Sequence, residues 1–229
     1  MNSLNIFLDD ITLLDKSLKE VNDNYRSLDP GWYLYRKLCF EKDINKKFED
    51  DFMELVYVTL SAWNMNSRGA KLSDFQKFRE SIRSNKESIL KLSKYKINNF
   101  SETEFDDVVN ISEYLFKNLN LVATDKPRLV TFSKTLHFLL PDLVVPIDRT
   151  YTLKFFYNNT NVDKDLNLQF QKFSSILNEC LKFTSKTRLD LKLNASWNQN
   201  IPKIIDNIII GYSKIKRKEV LETKMIASK

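Results

Sequence analysis

Residues 126–156 read KPRLVTFSKTLHFLLPDLVVPIDRTYTLKFF, and the folding of this stretch decides the architecture of the rest. From Arg128 to Leu140, the apolar residues Leu129, Phe132, Leu136, Leu139 and Leu140 recur at helical spacing and predict one broad helix face. Pro141 should end that helix, because proline cannot continue the hydrogen-bond ladder and biases the residue before it toward extended geometry. Leu143 to Ile147 then reads as a short, extended, buried link. Asp148 precedes a second helical run through Phe156, and an aspartate at that place is a favoured N-cap. Ser133, Lys134 and the only histidine, His137, share the first helix. A tight connection would bring Lys134 and Asp148 together.

Outward from this stretch the chain reads as ordinary amphipathic helices. Leu4–Val21 carries a stripe of Ile6, Phe7, Ile11, Leu14 and Leu18. Asp29-Pro30-Gly31 is a turn signal, followed by an aromatic helix from Trp32 to Phe40. Ile44–Trp63 is a stronger helix, stopped by Asn64-Met65-Asn66-Ser67-Arg68-Gly69, where glycine and asparagine accept left-handed backbone. Trp63, Asn66 and Arg68 in that loop suit contact with a base or a phosphate. Leu72–Leu92 continues helically, with a mostly basic outer face. Ser101 to Glu104 has the pattern of a capping box ahead of a helix through Leu119. Asp163–Phe183 and Ile201–Ile215 complete the helices. These elements predict an all-α, multi-helix protein. Residues 1–215 form a single domain, two helical subdomains around a cleft near 60–70 and 126–156 being the alternative, and 216–229 form a basic tail.

Composition narrows the function. Three glycines and five prolines in 229 residues argue against a turn-rich β-sandwich and against Gly-rich phosphate loops. Cys39 and Cys180 stand far apart, and with a single histidine they make a zinc site improbable, so neither a metal nor a cofactor is expected. The cysteine usage and the acidic N-terminal stretch MNSLNIFLDD suggest a reduced, cytoplasmic setting. No apolar run approaches the ~20 residues of a membrane span. The net charge is +6, but the tail from Lys214 holds six basic and two acidic residues, which leaves +2 for the remainder. Charge by itself is therefore weak support for a nucleic-acid partner.

Ser133-Lys134-Thr135-Leu136, followed by Pro141-Asp142-Leu143-Val144-Val145-Pro146-Ile147-Asp148-Arg149-Thr150-Tyr151, resembles the end of the helix-hairpin-helix motif of the HhH-GPD DNA glycosylases. In that family a lysine sits at the start of the second hairpin helix, and a proline-containing link leads to an aspartate heading the next helix. The resemblance implies an all-α glycosylase-like topology around 126–156 and double-stranded DNA as partner. It also implies Asp148 and Lys134 as the catalytic pair, with His137 lining the pocket. The family's Gly-x-Gly hairpin turn has no counterpart, since residues 126–132 contain no glycine. The loop around Trp63 and the segment Pro202 to Asn207 also look like parts of an uncharacterised bacterial family. Two further readings stand beside the enzyme: a helical interaction protein without chemistry, and a nucleotide or small-ligand module using Arg68 and Arg149 as phosphate partners.

Overall fold

The structure, a computed structural model, describes residues 3–24, 29–66, 71–194 and 196–227. Among these the chain is all-helical, without a β-strand. The helices in order are α1 (Ile6–Asp9), α2 (Ile11–Asp23), α3 (Pro30–Phe40), α4 (Asp50–Ala62), α5 (Phe75–Ser84), α6 (Lys86–Leu92), α7 (Glu102–Asn118), α8 (Leu129–Leu139), α9 (Lys154–Tyr157), α10 (Leu166–Thr184) and α11 (Ile201–Ala227).

Short polar side chains set most of the boundaries. The single helix expected over Leu4–Val21 is split at Asp10, which leaves helical geometry and accepts from the backbone N–H groups of Thr12 and Leu13 to start α2. Asp29 caps α3 through Trp32 N–H, so Pro30 and Gly31 are its first residues rather than a separate turn. The expected Leu72–Leu92 helix begins only at Phe75 and breaks at Asn85, while Leu72 forms an antiparallel bridge with Val122. Ser101 and Glu104 form the capping box in full at the head of α7. Asn64 ends α4 with a left-handed φ of 63°.

Helix α8 is the axle of the core. The sequence predicts one buried face, but every residue from Thr131 to Leu140 is buried, because α3, α4 and α10 pack around it. A helix enclosed on all sides must satisfy its polar groups internally. Lys47 does so at the C-terminal end, donating to the carbonyl of Leu139 at 2.8 Å, where helix carbonyls have no partner within the helix. Burial pushes its ammonium down to about 8.

The second organising contact is between α2 and α11. Gly211 makes it possible: a Cβ at this position would lie 1.9 Å from the carbonyl oxygen of Ser17. Helix α11 runs unbroken through Ala227, so residues 216–227 of the basic tail extend it. At 1.5 Å per residue it is about 40 Å long.

Candidate functional site

Ser133 anchors the local geometry. Its hydroxyl donates to the carbonyl of Val130 and accepts from the backbone N–H of Ile147 at 3.0 Å, holding the buried link 143–147 against α8. The link delivers Asp148 to a π-helical turn, Arg149–Leu153, instead of directly to an α-helix. The two carboxylate oxygens of Asp148 divide the work. Oδ1 accepts from the N–H groups of Thr150 at 2.7 Å and Tyr151 at 3.1 Å, which is the expected N-cap. Oδ2 faces the ammonium of Lys134 at 3.8 Å. Capping and contact with the lysine therefore coexist on one side chain.

A small cleft of about 170 Å³ opens over this pair. Trp63, Tyr151, Pro146 and Ile210 form its apolar walls, and Lys134, Asp148, Lys203 and Asp206 its polar surface. Lys203 and Asp206 come from the first turns of α11, three residues apart, and pair at 2.5 Å with side chains 8% and 7% exposed. Asn200 fixes that helix start by accepting from Lys203 N–H. Both lysines also lie over the Trp63 indole, Lys134 at 5.3 Å and Lys203 at 6.0 Å from the ring centroid. Burial lowers the pKa of Lys134 below the usual lysine range; Asp148 and Asp206 oppose that shift, and Lys203 adds to it. Burial likewise raises the Asp206 carboxyl. Lys203, paired with that carboxyl, opposes the rise.

His137 takes no part in the cleft. It is fully buried one turn beyond Lys134, with Nδ1 at 2.6 Å from the carbonyl of Val144 and Nε2 at 2.8 Å from the hydroxyl of Tyr35. A carbonyl can only accept, so Nδ1 carries the proton and Nε2 accepts from Tyr35. Asn200 in turn donates to the Tyr35 oxygen at 3.0 Å. Burial pushes the imidazole down to about 3, which keeps it neutral. The expected pocket-lining histidine is thus a core hydrogen-bond bridge.

Trp63 lies on the wall of the cleft. Asn66 does not: its amide accepts from Leu72 N–H and lines a separate polar groove of about 1090 Å³ that carries Lys71, Lys77 and Lys126. Arg149 is exposed and donates to the carbonyl of Thr160, outside the cleft. Arg68 lies outside the described residues. Lys203, Asp206 and Tyr151 are the cleft residues that sequence reasoning assigned no role. The available signal was Lys203 and Asp206 within the apolar run Ile204, Ile205, Ile208, Ile209, where a helix buried on that side leaves them no route to water.

No group of three or more His, Cys, Asp or Glu side chains among the described residues is placed to hold a metal ion. No helix among them is long and apolar enough to cross a membrane. Comparison with family models, with curated proteins and with solved structures finds no match to this chain.

Proposed function

We propose that the cleft processes abasic sites in double-stranded DNA on a glycosylase-like helical fold, with Lys134 as amine nucleophile and Asp148 as its acid–base partner. The observation that carries this reading is a desolvated lysine amine facing a carboxylate at 3.8 Å beside an indole face. A lysine becomes nucleophilic when burial or a cationic neighbour lowers its proton affinity, and Lys134 has both. The volume favours abasic-site processing over excision of an intact base. About 170 Å³ falls below the roughly 300–1,000 Å³ of common ligand pockets and suits a sugar better than a whole flipped nucleotide. The separate groove lined by Lys71, Lys77 and Lys126, with Asp74 as the acid among them, would offer its cations to a phosphate backbone.

In the proposed step the neutral amine adds to the aldehyde carbon of the ring-opened sugar. A proton passes from nitrogen to the former carbonyl oxygen by way of the Asp148 carboxylate. A second proton, taken up from solvent through the Asp148 carboxyl, leaves with the hydroxyl as water while the nitrogen lone pair forms the C=N bond, and the nitrogen keeps its remaining hydrogen as the protonated imine. Trp63 and Tyr151 would hold the faces of the sugar and exclude solvent.

The test is borohydride trapping on a duplex containing one abasic site. The expected result is a covalent protein–DNA adduct with the full chain that disappears in Lys134→Ala. An adduct that survives this substitution, or none with the unaltered chain, overturns the reading. Fluorescence anisotropy with intact and abasic duplexes supplies the binding arm, in which the abasic duplex binds more tightly and salt weakens both.

A further inference from the structure

The C-terminal half of α11 carries a feature that the cleft chemistry does not use. Ser213, Lys216, Arg217, Val220 and Leu221 fall at i, i+3, i+4, i+7 and i+8, so they share one face. That face and the short helix α9 enclose a groove of about 500 Å³, floored by Phe155 and Tyr212. Val220 and Leu221 on its wall are 54% and 60% exposed. The charged residues lining it are Lys154, Lys216 and Arg217, and of these Lys216 is already paired with Glu219 at 2.8 Å. Arg217 also lies over the ring of Tyr151 at 5.6 Å, which joins this groove to the wall of the Lys134 cleft.

We propose that this groove docks an acidic peptide segment of a partner protein, with apolar side chains seated on Phe155, Tyr212 and Leu221 and carboxylates paired with Lys154 and Arg217. The choice of occupant rests on charge and shape. A second copy of the chain would set the basic face of one α11 against the basic face of another, and like charges in contact oppose association. A DNA backbone would satisfy the cations but leave the apolar floor uncovered. A bilayer is flat, whereas Phe155 lies at the bottom of the groove and is itself 4% exposed. An extended or helical peptide with alternating acidic and apolar residues satisfies both surfaces, as groove-binding segments do. The proposal is independent of the chemistry assigned to Lys134.

The experiment uses the full chain and a fluorescein-labelled peptide Glu-Asp-Leu-Asp-Glu-Phe-Leu, followed by anisotropy. The expected result is saturable binding that weakens about tenfold or more in Arg217→Glu and in Lys154→Glu, and as strongly when the peptide's Leu and Phe are replaced by Ser. These residues are solvent-facing, and circular dichroism checks that each variant keeps its helix content. Failure of the peptide to bind, or binding indifferent to Arg217 or to the apolar residues, overturns the proposal. Two other results would overturn it in favour of a different occupant. One is binding of duplex DNA or anionic phosphatidylserine vesicles that depends on both Arg217 and Leu221 while the peptide does not compete. The other is concentration-dependent self-association abolished by Leu221→Asp.

Discussion

The C-terminal end and the middle of α8 each meet a buried lysine, in opposite conditions. At the C-terminal end, Lys47 donates to the Leu139 carbonyl, and His137 is bonded at both ring nitrogens. One turn before His137, Lys134 is also buried, and its ammonium faces the Asp148 carboxylate at 3.8 Å beside an indole face. A saturated buried polar group has its interactions already made and contributes rigidity. A pair as long as 3.8 Å is beyond hydrogen-bond distance and leaves more of its interaction energy for a reactant. Burial by itself does not distinguish them; the hydrogen bonds do.

Three perturbations would break or sharpen this contrast. The largest effect is expected at Lys203. Lys203→Met leaves the Asp206 carboxyl buried without its cation and should cost about 3–5 kcal/mol in urea unfolding, while Lys203→Met with Asp206→Leu should recover most of that loss. A small loss in the single variant would mean that the pair is more solvated than its burial indicates.

The saturated end should report through pH. His137 is held near 3 when folded, against about 6.5 when unfolded, so the unfolded chain binds the extra proton between these values. The corresponding stability is fully present above about pH 6.5 and is lost as pH falls toward 3. Between pH 6 and pH 5 the loss should be about 1 kcal/mol. His137→Gln should flatten that slope, and an unchanged slope would show that His137 is not the group responsible.

The smallest stability effect is expected at Asp148, where structure and chemistry separate. Asp148→Ala removes the cap and should cost about 1 kcal/mol, whereas Asp148→Asn keeps it and should cost only a few tenths. Both variants should lose borohydride trapping, because neither has a carboxylate facing Lys134. Trapping that persists in Asp148→Asn would reduce the residue to its capping role.

Much of the fold was legible in local pattern, for local reasons. The apolar periodicity of α8 and α10, the stop at Pro141, the capping box at Ser101 and the cap at Asp148 each depend on residues within a few positions of one another. The breaks at Asp10 and Asn85 were missed because a continuing apolar stripe masks an interrupting cap. The nearness of Lys134 to Asp148 was also foreseeable, since a short link joins their helices. The burial of His137 was not, because its partner Tyr35 lies on α3, far away in the chain.

By itself the sequence determined the all-helical class, the caps at Ser101 and Asp148 and the meeting of Lys134 with Asp148, because those depend on short-range backbone preferences and one tight connection. Only the tertiary structure decided that Lys203 and Asp206 complete the cleft, that His137 is sealed and Arg149 faces out, and that α11 carries an uncovered groove beyond the core. Those outcomes depend on which helices meet, and that is set by packing, such as the close approach at Gly211, between residues remote in the chain.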